Sequence, residues 1–229
     1  ARFYSVDVVN ESLYQVDTTG AATLVGPLNA SVDTASLTWH KGSLYILARS
    51  NGAIRIGQIA TDGIFAGNII PVMAQARIGS TTGPAPVVAD SLGSNPFSAH
   101  PYISYGTNSA NPGKSNQLGT IDPLTGVITP VVGFSNPSDM DMDGLTQMGF
   151  GNAIQVVDSS PSGTHQVGSL IGTTVTPTGS WSDNTLTECV SLGFQRNYFP
   201  VPLVSIVSGG TRLAVVPQPG LSPVTTPLI

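Results

Sequence analysis

Three aspartates at alternate positions give this chain its densest group of acidic side chains. Asp139, Asp141 and Asp143 lie in the stretch SNPSDMDMDGLTQMGF and are followed by Gly144. Carboxylates this close repel one another unless a cation neutralises them, and loops of the D-x-D-x-D-G kind wrap Ca²⁺ with the oxygens at positions 1, 3 and 5. The twelfth position is Phe150 instead of Glu, which excludes a helix–loop–helix calcium hand. The stretch therefore predicts either a calcium loop completed by other ligands or an acidic turn that leads into a strand.

A second acidic pair could support glycoside hydrolysis. This reaction uses two carboxyl groups about 5–9.5 Å apart, and Glu188 precedes an apolar run in the same way as Asp143 does. If the two runs are equivalent strands of neighbouring repeats, Asp143 and Glu188 face one channel. No catalytic motif surrounds either residue, so catalysis is the weaker hypothesis.

Aromatic side chains in polar stretches are candidates for stacking on a sugar ring. The stretch TGSWSDN places Trp181 in a predicted polar loop with Asp183 and Asn184. The stretch GTNSANPGKSN, which follows Tyr105, predicts a second polar loop. The predicted ligand contacts are Trp181, Asp183, Asn184, Tyr105, Asn108 and Asn111.

Other residues with distinctive side chains have structural interpretations. Trp39 lies inside a predicted strand and is assigned to the core, and His40 beside it is predicted to be a surface or packing residue. The single cysteine, Cys189, excludes an intrachain disulfide and is predicted to be a buried apolar residue. Four aspartates recur in short polar turns, where they are predicted to accept hydrogen bonds from nearby backbone. They are Asp17, Asp62, Asp122 and Asp158.

The composition limits the classes of partner. Of the 229 residues, 40% are hydrophobic and only 9% are charged, whereas ordinary soluble domains carry about 25% charged residues. A net charge of -5 with 8 Lys+Arg leaves too few cations to neutralise a run of phosphates, which argues against nucleic acid. No apolar run reaches the ~18 residues that a membrane-spanning helix needs. The composition therefore favours a neutral polar ligand or self-association.

Short runs of Val, Ile, Thr and Tyr, separated by Gly, Asn, Asp, Ser and Pro, predict an all-β chain. Five of these runs resemble one another and recur at intervals of 43, 62, 49 and 46 residues. Their matching apolar positions are Leu13, Ile56, Leu118, Val167 and Leu213. A period near 40–50 residues with about four strands per unit is typical of a β-propeller. We therefore predict one domain, a five-bladed β-propeller, with a two-sheet β-sandwich as the alternative.

The repeats divide the single domain, residues 1–229, into five predicted blades. These are residues 1–30, 31–75, 76–135, 136–182 and 183–229. The first blade is predicted to lack a strand, and the tail LSPVTTPLI could join either the first or the last blade. The third blade is the longest, and its excess, residues 73–100, is predicted to be an excursion over one face.

Two stretches, LYQVDTTGAATLVGPL and LGTIDPLTGVITPVVGF, resemble the repeats of secreted bacterial β-propeller proteins, whose blades are of the L-Y-x-V-D-x-T-G type. The resemblance covers most of the chain as a pattern, although only these two stretches match well. It implies a propeller fold and an extracellular or cell-surface location. Such repeats occur in binding modules, surface proteins and enzymes, so the resemblance does not select an activity.

The leading functional hypothesis is a non-catalytic extracellular binding module for a neutral glycan or surface polymer, with Ca²⁺ as its candidate cofactor. The first alternative is a structural subunit of a surface layer, fibre or coat that self-associates. The second is a glycan-active hydrolase or lyase that uses Asp143 and Glu188.

Overall fold

The structure is a computed structural model that describes much of the chain. The described residues are 3–17, 19–95, 97–107, 114–133, 142, 144–147, 154–159, 164–171, 174–182, 188–193, 203–208, 212–216 and 224–227. Within them every regular element is a β-strand, apart from one 3₁₀ turn at Gly63–Phe65. The prediction of an all-β chain is therefore confirmed for the described residues.

The strands form five sheets, each built from strands that are consecutive in the chain. The first sheet contains β1 (Phe3–Asp7), β2 (Ser12–Val16) and β3 (Ala22–Pro27). The second contains β4 (Thr34–His40), β5 (Ser43–Ser50), β6 (Ala53–Ile59) and β7 (Ile69–Gln75). The third contains β8 (Arg77–Ile78), β9 (Val88–Gly93), β10 (Tyr102–Gly106), β11 (Gln117–Ile121) and β12 (Val127–Gly133). The fourth contains β13 (Gly144–Gln147), β14 (Ile154–Ser159), β15 (Thr164–Ile171) and β16 (Thr174–Ser182). The fifth contains β17 (Glu188–Gly193), β18 (Leu203–Ser208), β19 (Arg212–Val216) and β20 (Val224–Pro227).

The third sheet is joined to the second by the short strand β8. Its spatial order is β8-β12-β11-β10-β9, and β8 pairs with β12 in parallel, whereas the other pairings are antiparallel. Because β8 follows β7 after one residue, it ties the last strand of one sheet to the last strand of the next. The prediction that residues 73–100 are an excursion over one face is therefore wrong, since this segment contains β8 and β9. The strand pattern of β9, VADSLG, was not recognised because the segments on either side of it are rich in Gly and Pro.

The first sheet has three strands, as its short sequence predicts. The tail does not complete it, because β20 pairs with β19 in the fifth sheet. Each of the other four sheets has one edge strand that approaches edge strands of other sheets, with Cα atoms within 8 Å. These strands, here called the inner strands, are β4, β9, β13 and β17. β4 approaches β9, β9 approaches β13, β13 approaches β17, and β17 approaches β4.

Two-residue turns close the β4–β5 and β5–β6 hairpins of the second sheet. Lys41 and Gly42 have φ values of 47° and 85°, and Asn51 and Gly52 have φ values of 51° and 73°. Positive φ at both central positions defines the turn type whose twist matches that of paired strands. A residue such as Lys41 adopts this conformation at some cost, which the paired strands on either side must offset.

The apolar positions that define the sequence repeat lie in the core wherever their side chains are described. Leu13, Ile56 and Leu118 are fully buried and lie at corresponding places next to the last strand of the first three sheets. One apolar cluster, which includes Leu13 and Ile46, fills the space between the first and second sheets. A second, which includes Ile56, fills the space between the second and third. Stacking of successive sheets therefore removes both faces of the second sheet from water.

Hydroxyl groups join the inner strands where apolar side chains do not. The Leu92 N–H of β9 donates to Ser36 Oγ of β4 at 3.1 Å, which links the second and third sheets. In the third sheet the Ser91 N–H donates to Ser104 Oγ at 3.0 Å, and the Ser104 hydroxyl donates to Met142 O at 2.7 Å. All of these serines are buried. They supply partners to backbone groups that would otherwise be buried without one.

The last strand of each sheet contains a proline. These residues are Pro27 in β3, Pro71 in β7, Pro130 in β12, Pro177 in β16 and Pro227 in β20. Proline lacks an N–H group and is confined within sheets to edge strands and bulges. Four of these strands have one neighbour, and in β12 the proline lies beyond Val127 and Ile128, the two residues that pair with β8.

Candidate ligand-binding site

A stacked pair of aromatic rings lies where the first and second sheets meet. The rings of Tyr4 on β1 and Trp39 on β4 have centroids 5.9 Å apart and an angle of 10° between their planes. Trp39 is 48% exposed, so one part of its indole is open to solvent while Tyr4 supports another. Its prediction as a core residue is wrong: Trp39 is the next-to-last residue of β4, and the three-stranded first sheet covers only part of it.

His40, which follows Trp39 on β4, lies on the opposite face of the strand. Alternate side chains of a strand point to opposite faces, and His40 is buried while Trp39 is half exposed. The His40 Nδ1 accepts the Asn95 N–H at 3.3 Å, and His40 Nε2 donates to Ala99 O at 3.1 Å. This arrangement requires the neutral imidazole with its proton on Nε2. Burial lowers the pKa of His40, which also favours the neutral ring. His40 thus fixes the end of β4 against the loop that follows β9.

The turn aspartates have the structural role predicted for them where their contacts are described. Asp17 Oδ1 accepts the Thr19 hydroxyl at 2.6 Å and the Thr19 N–H at 2.8 Å, and these bonds lower the pKa of Asp17. Asp122 accepts the Leu124 N–H at 2.9 Å; burial raises its pKa, but the hydrogen bonds outweigh burial and the pKa is lowered. Asp62 makes no side-chain capping bond. Asp158 lies in strand β14 and not in a turn, which corrects its assignment.

Two of the predicted ligand contacts have different positions from those expected. Tyr105, predicted to offer its ring to a ligand, is 1% exposed and packs in the cluster between the second and third sheets. Burial raises the pKa of its hydroxyl. Its ring is therefore a core element and not a ligand contact. Trp181, predicted in a polar loop, lies in strand β16 opposite His165 of β15.

The remaining predicted site residues have no described side chains. Asp139, Asp141, Asp143, Asp183, Asn184, Asn108 and Asn111 lie outside the described residues. Glu188 is the first residue of β17. The calcium loop and the acidic pair therefore stay predictions. Among the described residues, no group of three or more His, Cys, Asp and Glu side chains could hold a metal ion.

One residue inside the acidic run is described, and its backbone is firmly held. Met142 is buried, its carbonyl oxygen accepts the hydroxyls of Ser91 at 3.2 Å and Ser104 at 2.7 Å, and its N–H donates to Ser115 O at 3.1 Å. The residue between Asp141 and Asp143 is thus anchored to the third sheet.

Consecutive antiparallel sheets with neighbouring inner strands place this protein in the β-propeller class of folds. No protein-family model matches the chain, and no curated protein matches its sequence. Solved structures do match. Nidogen in its complex with laminin has a TM-score of 0.56 at 10% identity, with 98% of this chain and 76% of that chain covered. The fungal lectin of Aleuria aurantia, a six-bladed β-propeller that recognises fucose, has a TM-score of 0.51 at 11% identity, with 98% and 73% covered.

An enzyme shares the fold as well. The exo-β-1,3-galactanase of Phanerochaete chrysosporium has a TM-score of 0.52 at 12% identity, with 84% of this chain covered. The chain spans 49% of the galactanase. At these identities the likeness concerns the fold alone. Within the described residues, no helix has the length and apolar character that a membrane span requires.

Proposed function

We propose that the protein is a non-catalytic extracellular binding module for a neutral glycan or surface polymer, built as a five-bladed propeller. The observation that carries the proposal is the half-exposed Trp39 ring, which is held flat against Tyr4. A sugar presents C–H groups on one face of its ring, and a rigid aromatic surface next to polar groups is the usual partner for that face. The recognition of fucose by a lectin of similar fold supports the proposal.

A glycan-active enzyme is the second candidate, because a galactanase is also among the similar structures. It would use Asp143 and Glu188, and we rank it lower because no catalytic motif surrounds either residue in the sequence. The two candidates differ in the fate of the glycan. A binding module returns it unchanged, whereas an enzyme shortens it.

Replacing Trp39 with Ala is expected to weaken retention on an immobilised neutral polysaccharide by at least about tenfold, because it removes the stacking surface. The conservative Trp39→Phe variant keeps a ring and is the matched control, expected to retain most of the binding. Affinity electrophoresis in gels that contain single polysaccharides measures both. If no polysaccharide of a broad panel retards the parent protein, or if Trp39→Ala migrates as the parent does, the proposal fails.

We also propose that Asp139, Asp141 and Asp143 bind Ca²⁺, with support from the anchored backbone of Met142 between two of them. Ca²⁺ at about a hundred times its Kd is expected to stabilise the fold by about 2.7 kcal/mol. Thermal unfolding in Ca²⁺ and in a chelator measures this effect, with Asp141→Asn as the variant in which it should shrink. Superimposable unfolding curves of the parent in the two buffers would exclude the site.

A further inference from the structure

The four inner strands carry the same residue types at the same register position. In the second sheet Ser36 pairs with Leu47, which pairs in turn with Ile56, the apolar position of the sequence repeat. The same alignment finds a serine in three of the four inner strands and a leucine directly after it in all four. The serines are Ser36, Ser91 and Ser191, with Gly144 in β13, and the leucines are Leu37, Leu92, Leu145 and Leu192.

This Ser-Leu pair joins one inner strand to the next. Ser36 faces the third sheet, where its Oγ accepts the Leu92 N–H at 3.1 Å, and the Leu92 side chain is fully buried. The Ser91 hydroxyl donates in the same way to Met142 O, just before β13, at 3.2 Å. Leu145 of β13 is fully buried as well. A serine on one inner strand and a leucine on the next therefore form a buried junction between successive sheets.

The first sheet has no strand of its own in the inner position. Its strand β1 corresponds to β5, because Val6 pairs with Leu13, the apolar position of the first repeat. Among the described residues, no backbone hydrogen bond joins β1 to a strand other than β2. Leu37 of β4 is only partly buried, whereas Leu92 and Leu145 at the same register position are fully buried. Leu37 thus lacks the cover that an inner strand gives to its counterparts.

Backbone groups of β1 and β4 point into this inner position. His40 and Ser43 flank a two-residue turn, and such residues exchange both hydrogen bonds of the ladder. Bonded pairs alternate from there, so the N–H of Leu37 points away from β5, and no described residue accepts a hydrogen bond from it. On β1, Tyr4 and Val6 take the places of the β5 residues that bond to β4. A strand antiparallel to β1 would therefore meet donors and acceptors on both sides.

The chemistry of the inner position selects its occupant. A row of strand N–H and C=O groups is paired by another extended peptide and not by a sugar or a lipid. The position continues the apolar space between the first and second sheets, since Tyr4, Val6 and Leu37 all pack against that cluster. A second copy would have to give up a strand, because every Ser-Leu pair of the chain lies within one. A segment of another polypeptide therefore fits best.

Asp7 sets the charge expected at one end of that segment. In an antiparallel strand whose serine lies opposite Val6, the residue before the serine lies opposite Asp7. Hydrogen bonds from Asn10 hold the pKa of Asp7 below its usual value, so its carboxylate stays ionised near neutral pH. Opposite charges on directly facing residues stabilise a pair of strands. Lys or Arg is therefore the residue expected before the serine.

We propose that β1 binds an extended segment of a partner polypeptide that contains the run Lys-Ser-Leu or Arg-Ser-Leu, and that this segment becomes the fourth strand of the first sheet. The segment runs antiparallel to β1, and its serine accepts the Leu37 N–H as Ser36 accepts that of Leu92. Because β17 approaches β4 across this position, the segment separates these two strands as it enters. The proposal does not rest on the glycan proposal, because the ligand contains no sugar.

Fluorescence anisotropy of a labelled peptide that contains the run Thr-Lys-Ser-Leu-Thr tests the proposal with the 229-residue chain. The parent protein is expected to bind this peptide, and to bind the peptide with proline in place of serine at least about tenfold more weakly. That change removes the N–H that pairs with β1 and the hydroxyl that accepts from Leu37, and it cannot affect folding of the protein. A peptide of the same residues in scrambled order is the control.

A variant of the protein tests the same contact from the other side. Val6→Pro removes the N–H that points to the free edge and leaves the bonds to β2, so it is expected to weaken binding at least about tenfold. Val6→Ala keeps this N–H and is the matched control. Amide hydrogen exchange of the parent is expected to slow at Val6 and Leu37 when the peptide is bound, and to stay unchanged at the exposed Ile64.

Several results would overturn the proposal. One is a parent protein that binds the peptide at no concentration, and another is equal affinity for the original and scrambled peptides. Equal affinity of Val6→Pro and Val6→Ala, or unchanged exchange at Val6 and Leu37, would also contradict it. A parent dimer that the peptide dissociates would assign the edge of β1 to a second copy instead. Because the peptide carries no sugar, failure here leaves the Trp39 proposal intact, and failure of the Trp39 test leaves this one intact.

Discussion

Replacing Ser104 with Ala is expected to lower the free energy of unfolding by about 2–4 kcal/mol. The Ser104 hydroxyl donates to Met142 O at 2.7 Å and accepts the Ser91 N–H at 3.0 Å, and its oxygen lies 2.9 Å from Ser91 Oγ. The site is buried, so water cannot replace the lost partner of the Ser91 N–H, and an unpaired buried donor costs about 1–3 kcal/mol. Urea unfolding of parent and variant at pH 7.5 measures the difference.

The exposed Ser80 provides the control for this prediction. Its hydroxyl makes only a contact of 3.4 Å with Thr82 Oγ1 at the surface, so Ser80→Ala is expected to change stability by less than about 0.5 kcal/mol. Equal stability of Ser104→Ala and Ser80→Ala would mean that the hydroxyl junction between the third sheet and Met142 contributes nothing. A further loss in the Ser91→Ala/Ser104→Ala double variant is expected, since Met142 O then loses both hydroxyls.

Replacing His40 with Ala is expected to cost about 2–4 kcal/mol at pH 7.5, because the Asn95 N–H and Ala99 O both lose their partner. The cost should also depend on pH. Burial, followed by smaller effects that include the charges of Lys41 and His100, holds the pKa of His40 below the ordinary value of about 6.5. The unfolded chain therefore takes up the proton first as the pH falls.

The sign of the pH effect follows from that order of protonation. The contribution of His40 is complete above pH ~6.5 and declines as the pH falls from there towards the lowered pKa of the folded state. The gap in stability between parent and His40→Ala should thus narrow between pH 7.5 and pH 5. Urea unfolding of both proteins across this range measures the gap. A gap that stays constant, or widens in acid, would contradict the neutral Nε2–H form of the ring.

The features of the fold that depend on the sequence repeat could be predicted from the sequence. Apolar residues that recur every 43–62 positions predict equivalent strands, and Leu13, Ile56 and Leu118 are indeed buried at corresponding places. The turn roles of Asp17 and Asp122 were equally predictable, because an Asp bonds to backbone two residues ahead whatever the rest of the fold does.

Burial of individual aromatic residues could not be predicted in this way. Trp39 and Tyr105 both lie in strands, but one is half exposed and the other is buried. The difference depends on the neighbouring sheet, which is short of a strand beside Trp39 and complete beside Tyr105. A single sequence shows the apolar pattern of each strand. It does not show how much of that strand the neighbouring sheet covers. Trp181 was placed in a loop for a related reason, since the polar residues of β16 obscure its alternation.

The sequence also contains a signal for four exposed apolar residues, Val9, Ile64, Phe97 and Leu124. An Asp or Asn followed two residues later by Val, Ile, Phe or Leu is a turn whose apolar residue has no strand to join. The Asp or Asn alone predicts only that a turn forms. Attention to the pair predicts which apolar side chains the turn keeps outside the core, as Val9 and Leu124 illustrate.

The prolines of the five last strands bear on how such a chain remains dispersed when crowded. With 9% charged residues it has little mutual repulsion, and exposed strand edges are the usual templates for cross-β growth. A missing amide hydrogen at Pro27, Pro71, Pro130, Pro177 and Pro227 interrupts the row of donors that an incoming strand would need. Many copies of the protein are therefore expected to stay dispersed at high concentration, because the edges of their sheets do not template amyloid.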